Sequence, residues 1–290
     1  MTGIVSVLSD YVCELGEGPS YDEATGSLYW FNIVHGQLLE RSRSGATTAH
    51  ELGQMASAIA VIDDKRQLVF TETGLHLRDA ATGKLTLHTS IEAENKSTRS
   101  NDARVHPSGA FWLGTMSKTH EKKAGSIYWF FKGELRKLYD GITVPNSIAF
   151  SEDGAVAYYV DSDEKLLKRV DCDPATGLPL GEPKLFGDHR QNAGYVDGSV
   201  VDRDGILWNA CWGASAVNAY APDGKLVRSI PMPVTQPSCP AFVGANADRL
   251  AVTSAWADQD EAQRAADPDA GKTFVIDFPV RGRFEPRVLI

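Results

Sequence analysis

Two carboxylates and a set of amides recur at one phase of this sequence. Glu17 stands in Leu15-Gly-Glu-Gly-Pro19 and Asn101 with Asp102 in Arg99-Ser-Asn-Asp102; Asn146 follows Pro145, and Asp197 lies between Val196 and Gly198. Each falls about eight residues ahead of a turn glycine (Gly26, Gly109, Gly154 and Gly205), the regularity expected of a repeat. If these positions converge on one axis, the acids repel one another unless a cation sits between them. An all-oxygen donor set suits hard divalent ions such as Ca²⁺, Mg²⁺ or Mn²⁺. Three protein ligands would leave positions for water and substrate, as catalytic metal sites do. The plainer alternative is a solvated channel mouth lined by polar residues, and spacing alone leaves both open.

The elements that must bring these residues together are repeated hairpins. The stretch Tyr195–Gly213 reads as a strand over Ser199–Val201, a turn at Asp204-Gly205 and a second strand over Ile206–Ala210, with Asp197 just ahead of the first. Asp-Gly between two apolar runs is a strong hairpin signal, because the turn needs a residue that tolerates positive φ. Copies of this unit occur at Glu17–Trp30, Asn101–Trp112 and Asn146–Tyr159, with weaker ones at Ser57–Phe70 and Ser238–Val252. A spacing of roughly 40 to 50 residues is that of a propeller blade rather than a helical repeat. The expected fold is all-β: a single domain over residues 1–290, a six-bladed β-propeller with four antiparallel strands per blade and a metal site in the central channel. Innermost strands surround that channel, so the recurring residues would face one another. Blades two and six place Ser57, Ser238 and Cys239 there, which makes the polar ring lopsided.

Length and composition agree. The chain has 290 residues, 42% of them hydrophobic, with 26 glycines and 14 prolines, which suits a turn-rich β protein. A net charge of −9 argues against nucleic acid or an anionic membrane as partner, since both demand a basic face. The segment Met1–Asp10 has no basic region followed by a long apolar run, so a cytoplasmic protein is expected, as a monomer or weak homodimer. Cys13, Cys172, Cys211 and Cys239 lack zinc or redox spacing and read as reduced thiols. No Walker, GxGxxG or GxSxG motif is present, which disfavours nucleotide chemistry and serine hydrolysis.

Other segments carry local expectations. Ser117–Gly125 is too polar for a strand and reads as an exposed loop, either a lid or a solvated connector. Asp258–Pro268 is a polar insert that could hold a helical turn. Phe284–Ile290 reads as a last strand, closing the ring against the N-terminal segment. Trp30, Trp112 and Trp208 recur after the turns and read as blade packing. Trp212 and Trp256 read as packing residues that could instead lie nearer the channel end and stack on a sugar, and His120, in the polar loop, is the one histidine placed where it could matter.

Taken together, Leu15-Gly-Glu-Gly-Pro19, Arg99-Ser-Asn-Asp102 followed by Gly114-Thr-Met116, Pro145-Asn-Ser147 and Val196-Asp-Gly198 resemble the senescence-marker-protein/gluconolactonase family, which includes regucalcin and bacterial sugar lactonases. The resemblance runs from Glu14 to Gly271. It implies a six-bladed propeller that binds one divalent cation (Ca²⁺, Mg²⁺, Mn²⁺ or Zn²⁺) and hydrolyses a sugar lactone to the aldonic acid. Carried over by motif, Glu17, Asn146 and Asp197 become metal ligands, Arg99 and Asn101 contacts to substrate hydroxyls, and Asp197 the general base, with Asp102 beside them as a further substrate-side or basic group. Ser100 and Ser147 stand where other members often carry apolar residues, and Pro237-Ser-Cys-Pro240 departs from the usual Thr/Cys-rich run. A non-catalytic calcium- or small-molecule-binding propeller is the alternative, and a protein-interaction propeller a third. The last would need a large exposed apolar patch, of which the sequence gives no clear sign.

Overall fold

The computed structural model describes residues 4–290; the first three residues of the N-terminal segment read above lie outside the described residues. Six four-stranded antiparallel sheets follow one another around a ring. Their innermost strands are Gly16–Asp22, Ala56–Val61, Thr98–Val105, Pro145–Phe150, Tyr195–Val201 and Pro237–Val243, and each chain segment then steps outward strand by strand. The expected six-bladed propeller is therefore the fold.

The turns form where the sequence places them. Gly26, Gly109, Gly154 and Gly205 all adopt positive φ, between 69° and 88°, at the lower ends of their hairpins. Between blades, apolar faces pack: Leu68 and Phe70 of blade two meet Phe111 and Leu113 of blade three. Trp30, Trp112 and Trp208 are buried, as blade packing requires. The Trp112 indole donates to Gly177 O at 2.9 Å and that of Trp208 to Asp202 Oδ2 at 2.9 Å. All four cysteines are buried and free. Burial pushes the thiols of Cys13, Cys172 and Cys211 up to about 12, which makes them poor nucleophiles. The polar insert does hold a short helix, Glu261–Ala266, started by Asp260, whose carboxylate accepts from Gln263 N while the Gln263 side chain accepts from Asp260 N.

Ring closure differs from the sequence expectation. Phe284–Ile290 is not a strand. The outermost strand of blade six is the N-terminal Val5–Ser9, paired antiparallel with Thr273–Ile276. The C-terminal segment instead crosses the lower face as a strap. Along it, Gly282 N bonds Ala247 O, Arg203 N bonds Arg281 O, Arg283 Nη2 bonds Phe150 O, Leu289 N bonds Gly109 O and Val288 N bonds Val61 O. With Phe284 stacked on Tyr21 at 6.0 Å between ring centroids, the strap touches all six blades. Its backbone bonds go to several blades in turn, so it cannot extend any one sheet.

The inner strands share one more feature. Each carries a β-bulge near its upper end, where the inner strand holds one more residue than its neighbour: between Glu17 and Ser20, Ala56 and Ala58, Ser100 and Ala103, Asn146 and Ala149, Val196 and Ser199, and Pro237 and Pro240. A bulge locally turns the strand and re-aims its side chains. Asp197 thus lies inside the inner strand at the bulge, not ahead of it as the Asp-Gly pair suggested.

Candidate active site at the upper channel mouth

The bulges position the polar residues. By register Glu17 and Asn146 occupy the residue that opens the bulge, whereas Asn101 and Asp197 occupy the next one. The extra residue lets both positions face the channel. Close approach of the inner strands requires glycine beside the acids. A Cβ on Gly18, at φ 57°, would come within 1.8 Å of Ser57 O, and one on Gly198 within 2.3 Å of Cys239 Sγ.

The result is one cavity of about 510 Å³, within the range of roughly 300 to 1,000 Å³ that holds a small ligand. Glu17, Arg99, Asn101, Asn146 and Asp197 all line it. Asp102 is buried but does not line it; its Oδ2 accepts from Ile148 N at 2.7 Å, which ties the carboxylate to the inner strand of blade four. That placement weakens Asp102 as a substrate contact or base.

The amides form a chain. Arg99 Nη1 donates to Asn101 Oδ1 at 2.8 Å and to Ser100 O at 2.8 Å. Asn101 Nδ2 donates to Asn146 Oδ1 at 2.8 Å and to Pro145 O at 3.0 Å. Asn146 Nδ2 in turn donates to Ser162 Oγ at 3.1 Å, and that hydroxyl donates to Val196 O at 2.6 Å. The Asn146 amide is therefore held with a known orientation. Its oxygen keeps a second lone pair beyond the one Asn101 occupies. Below Asp197, Asn209 Nδ2 donates to Asp197 O at 2.9 Å and Gly198 O at 3.2 Å, and so fixes the bulge backbone.

The electrostatics are those of an uncompensated acid cluster. Burial first, and then the charge of Asp102, raises Glu17 to about 8. Burial, followed by the charges of Glu17 and Asp102, raises Asp197 well above the usual carboxylate range. Asp102 is also raised, mainly by burial. Arg99 is lowered to about 10 by burial, partly offset by Glu17 and Asp197, and so stays charged. Buried charges are tolerated when paired. Arg104 also acts on Glu17 and Asp102 but is itself paired with Glu285, which leaves three carboxyl groups against the one guanidinium, Arg99, that has no acid partner of its own among the described residues. Two carboxylates and an amide oxygen that line one cavity and lack sufficient counter-charge fit a hard divalent cation. Among the described residues no cluster of three His, Cys, Asp or Glu side chains forms a metal site, because the third oxygen of this set comes from an amide.

The cavity rim holds residues that sequence spacing singled out and others that it missed. Trp212, His120 and Lys118 line it. Trp256 does not; its ring is covered by the Arg264 guanidinium at 3.8 Å. The loop Ser117–Gly125 lies over the same mouth as Glu17 and is tied to both neighbours: Lys118 pairs with Glu72, and Lys123 Nζ reaches Glu164 at 3.0 Å. Tyr195, Met116 and Ser162 were missed. For Ser162 the available signal was its place in Asp161-Ser-Asp163, just past a strand end; Met116 and Tyr195 look like ordinary strand residues.

The SMP-30/gluconolactonase/LRE-like region matches residues 15–256. A sugar lactone lactonase candidate of Rhizobium meliloti (strain 1021) is 52% identical over 280 residues, covering 96% of this chain and 95% of that one. An L-arabinolactonase of Azospirillum brasilense is 35% identical over 280 residues, covering 94% and 91%. The crystal structure of regucalcin from Agrobacterium tumefaciens strain C58, described as a calcium-binding protein, superposes with a TM-score of 0.97 at 46% identity, covering 98% of this chain and 97% of that one. The chain belongs to the SMP-30/gluconolactonase/LRE-like family.

Proposed function

We propose that the protein hydrolyses a sugar lactone to the open-chain aldonic acid, with one divalent cation held by Glu17, Asn146 and Asp197. The observation that carries this reading is the convergence of two buried, under-compensated carboxylates, an oriented amide and a buried arginine on one cavity. Kinship with a lactonase candidate and an arabinolactonase supports the reaction class. The cation would supply Lewis acidity toward the lactone carbonyl and acidify water.

The chain's own residues do the rest. Arg99 donates to a sugar hydroxyl, and Asn101, whose two amide hydrogens are already committed, accepts from one through the second lone pair of Oδ1; together they orient the ring. Asp197 takes the proton of the attacking water, whose oxygen bonds to the carbonyl carbon. The ring C–O bond breaks, and the departing oxygen takes up the proton that Asp197 removed from the water, becoming a hydroxyl and returning Asp197 to its carboxylate form. Burial gives Asp197 an unusually basic carboxylate, whereas binding a cation would draw its pKa back down. The base therefore acts in the window these opposed effects leave.

A panel of glucono-, xylono-, arabino- and galactono-lactones, assayed with and without chelator, tests the proposal. Turnover of at least one lactone, lost on chelation and restored by metal, is expected. A second reading has support in the Agrobacterium relative: a calcium-binding propeller without turnover. It predicts cation binding with no hydrolysis across the same panel.

A further inference from the structure

The lower half of the channel holds charges that the hydrolysis mechanism does not use. Arg104, 6% exposed, projects from the inner strand of blade three into the channel. Its Nη1 donates to Glu285 Oε1 of the strap at 2.8 Å, and its Nη2 reaches Ser199 O at 3.3 Å and Cys239 Sγ at 3.5 Å. It sits two residues beyond Asp102 on the same strand, and no ion pair among the described residues joins it to Asp102, Glu17 or Asp197. Its charge nevertheless acts on both Asp102 and Glu17. Arg104 Nε has no hydrogen-bond partner, so the guanidinium is held through its outer nitrogens alone.

We propose that Glu285 is a positioning residue, which holds the Arg104 guanidinium at the channel floor and so leaves the carboxylates of Glu17 and Asp197 to a cation. Arg104 has acid on two sides: Glu285 below it, and Asp102 with Glu17 above. A guanidinium is permanently charged and seeks the strongest nearby counter-charge. The downward pair with Glu285 satisfies it. With an uncharged side chain at position 285, the remaining partners are the buried acids above, and the guanidinium would compete there with the divalent ion. The strap thus does more than cover the lower opening. It delivers a carboxylate from the chain's last residues to a channel whose opposite end carries the cavity.

The inference rests on the cation site proposed above, and the experiment separates the two. Calcium, magnesium and manganese are titrated calorimetrically into chelator-stripped protein for wild type, Glu285→Gln, Glu285→Asp and the double variant Arg104→Met/Glu285→Gln. Thermal unfolding of the stripped proteins serves as the control on folding. Glu285→Gln should weaken cation binding about tenfold or more, and Glu285→Asp by no more than about threefold, because it keeps the charge. The double variant should return to within about threefold of wild type, since it removes the competing guanidinium. A merely structural role predicts the reverse, with the double variant as weak as the single or weaker. That result, or unchanged affinity in Glu285→Gln, overturns the proposal. Wild-type protein that takes up none of the three cations overturns the cation site itself, and this inference with it.

Discussion

Blades one, three, four and five differ from blades two and six in the side chain that the inner-strand bulge presents. All six inner strands carry the same bulge. In the first group it presents Glu17, Asn101, Asn146 and Asp197 to the cavity. In the second it presents Ser57 and Ser238, whose hydroxyls turn to backbone instead: Ser57 Oγ donates to Asn101 O at 2.5 Å, and Ser238 Oγ to Gly16 O at 2.5 Å. One backbone event therefore serves two ends. Where the residue is acidic or an amide it supplies the cavity; where it is serine it staples one blade to the next. The geometry belongs to the fold, and the chemistry to the residue placed on it.

Substitutions can break that comparison, and the largest effect is expected at Asp197. Asp197→Ala removes a proposed ligand and the proposed base together. Lactone hydrolysis should fall by a factor of about 10³ or more, with cation affinity reduced as well. Near-normal turnover in steady-state assays would end the assignment.

Glu17 comes next and carries a pH signature. Its ordinary value of 4.5 is raised to about 8 in the metal-free protein. A carboxyl whose folded pKa is raised contributes stability that is complete below its unfolded pKa and is lost as pH rises through the folded value. Stripped protein should therefore lose melting temperature between about pH 5 and pH 8, while calcium-loaded protein loses less, so that the gap between the two widens with pH. Glu17→Gln should flatten this dependence and weaken cation binding. A gap that stays constant from pH 5 to pH 8.5 in scanning calorimetry would contradict it.

Arg99 and Asn101 sharpen the contrast from the substrate side. Arg99→Ala should lower kcat/KM roughly tenfold to a hundredfold, the loss of a charge-assisted contact of about 1.5–3 kcal/mol, with cation affinity largely kept. Asn101→Ala should lower both kcat/KM and cation affinity, because Asn101 also orients the Asn146 amide. Calorimetry beside kinetics distinguishes the two variants.

The smallest effects belong to the serines. Ser57→Ala and Ser238→Ala should each cost about 1 kcal/mol of stability, for one buried hydrogen bond, and leave kcat and cation affinity within about twofold. A large loss of activity in either would mean that the two kinds of bulge are not separable.

Much of this was legible in the sequence, and the rest was hidden for identifiable reasons. The turn glycines and their spacing fixed the blades, because positive φ at Gly109 or Gly205 leaves a mark in residue type. Glu17, Asn101, Asn146 and Asp197, which line the cavity, could be read from their phase, whereas Asp102, read from the same phase, does not line it. The bulges could not: an extra residue in one strand has no residue type of its own, and Asp197-Gly198 looked like the lead-in to a strand rather than part of one. The strap was misread because Val288-Leu-Ile290 has the composition of a strand. Its partners, Val61 and Gly109, lie in different blades, and nothing local says so. The pairing of Arg104 with Glu285 was invisible for the same reason.

The pairing of Val5–Ser9 with Thr273–Ile276 has a kinetic consequence. Each of the first five sheets joins strands that are neighbours along the chain, so their hairpins close short loops. The sixth cannot be finished until the two ends of the sequence meet, and closing so long a loop carries an entropic cost that local hairpins avoid. Folding should therefore run through an open ring. Until it closes, the Thr273–Ile276 edge and the hydrophobic flank of blade one, including Trp30 and Leu39, remain uncovered. That open ring is the species most exposed to aggregation; because closure is intramolecular and association is not, the yield of refolded protein should rise on dilution.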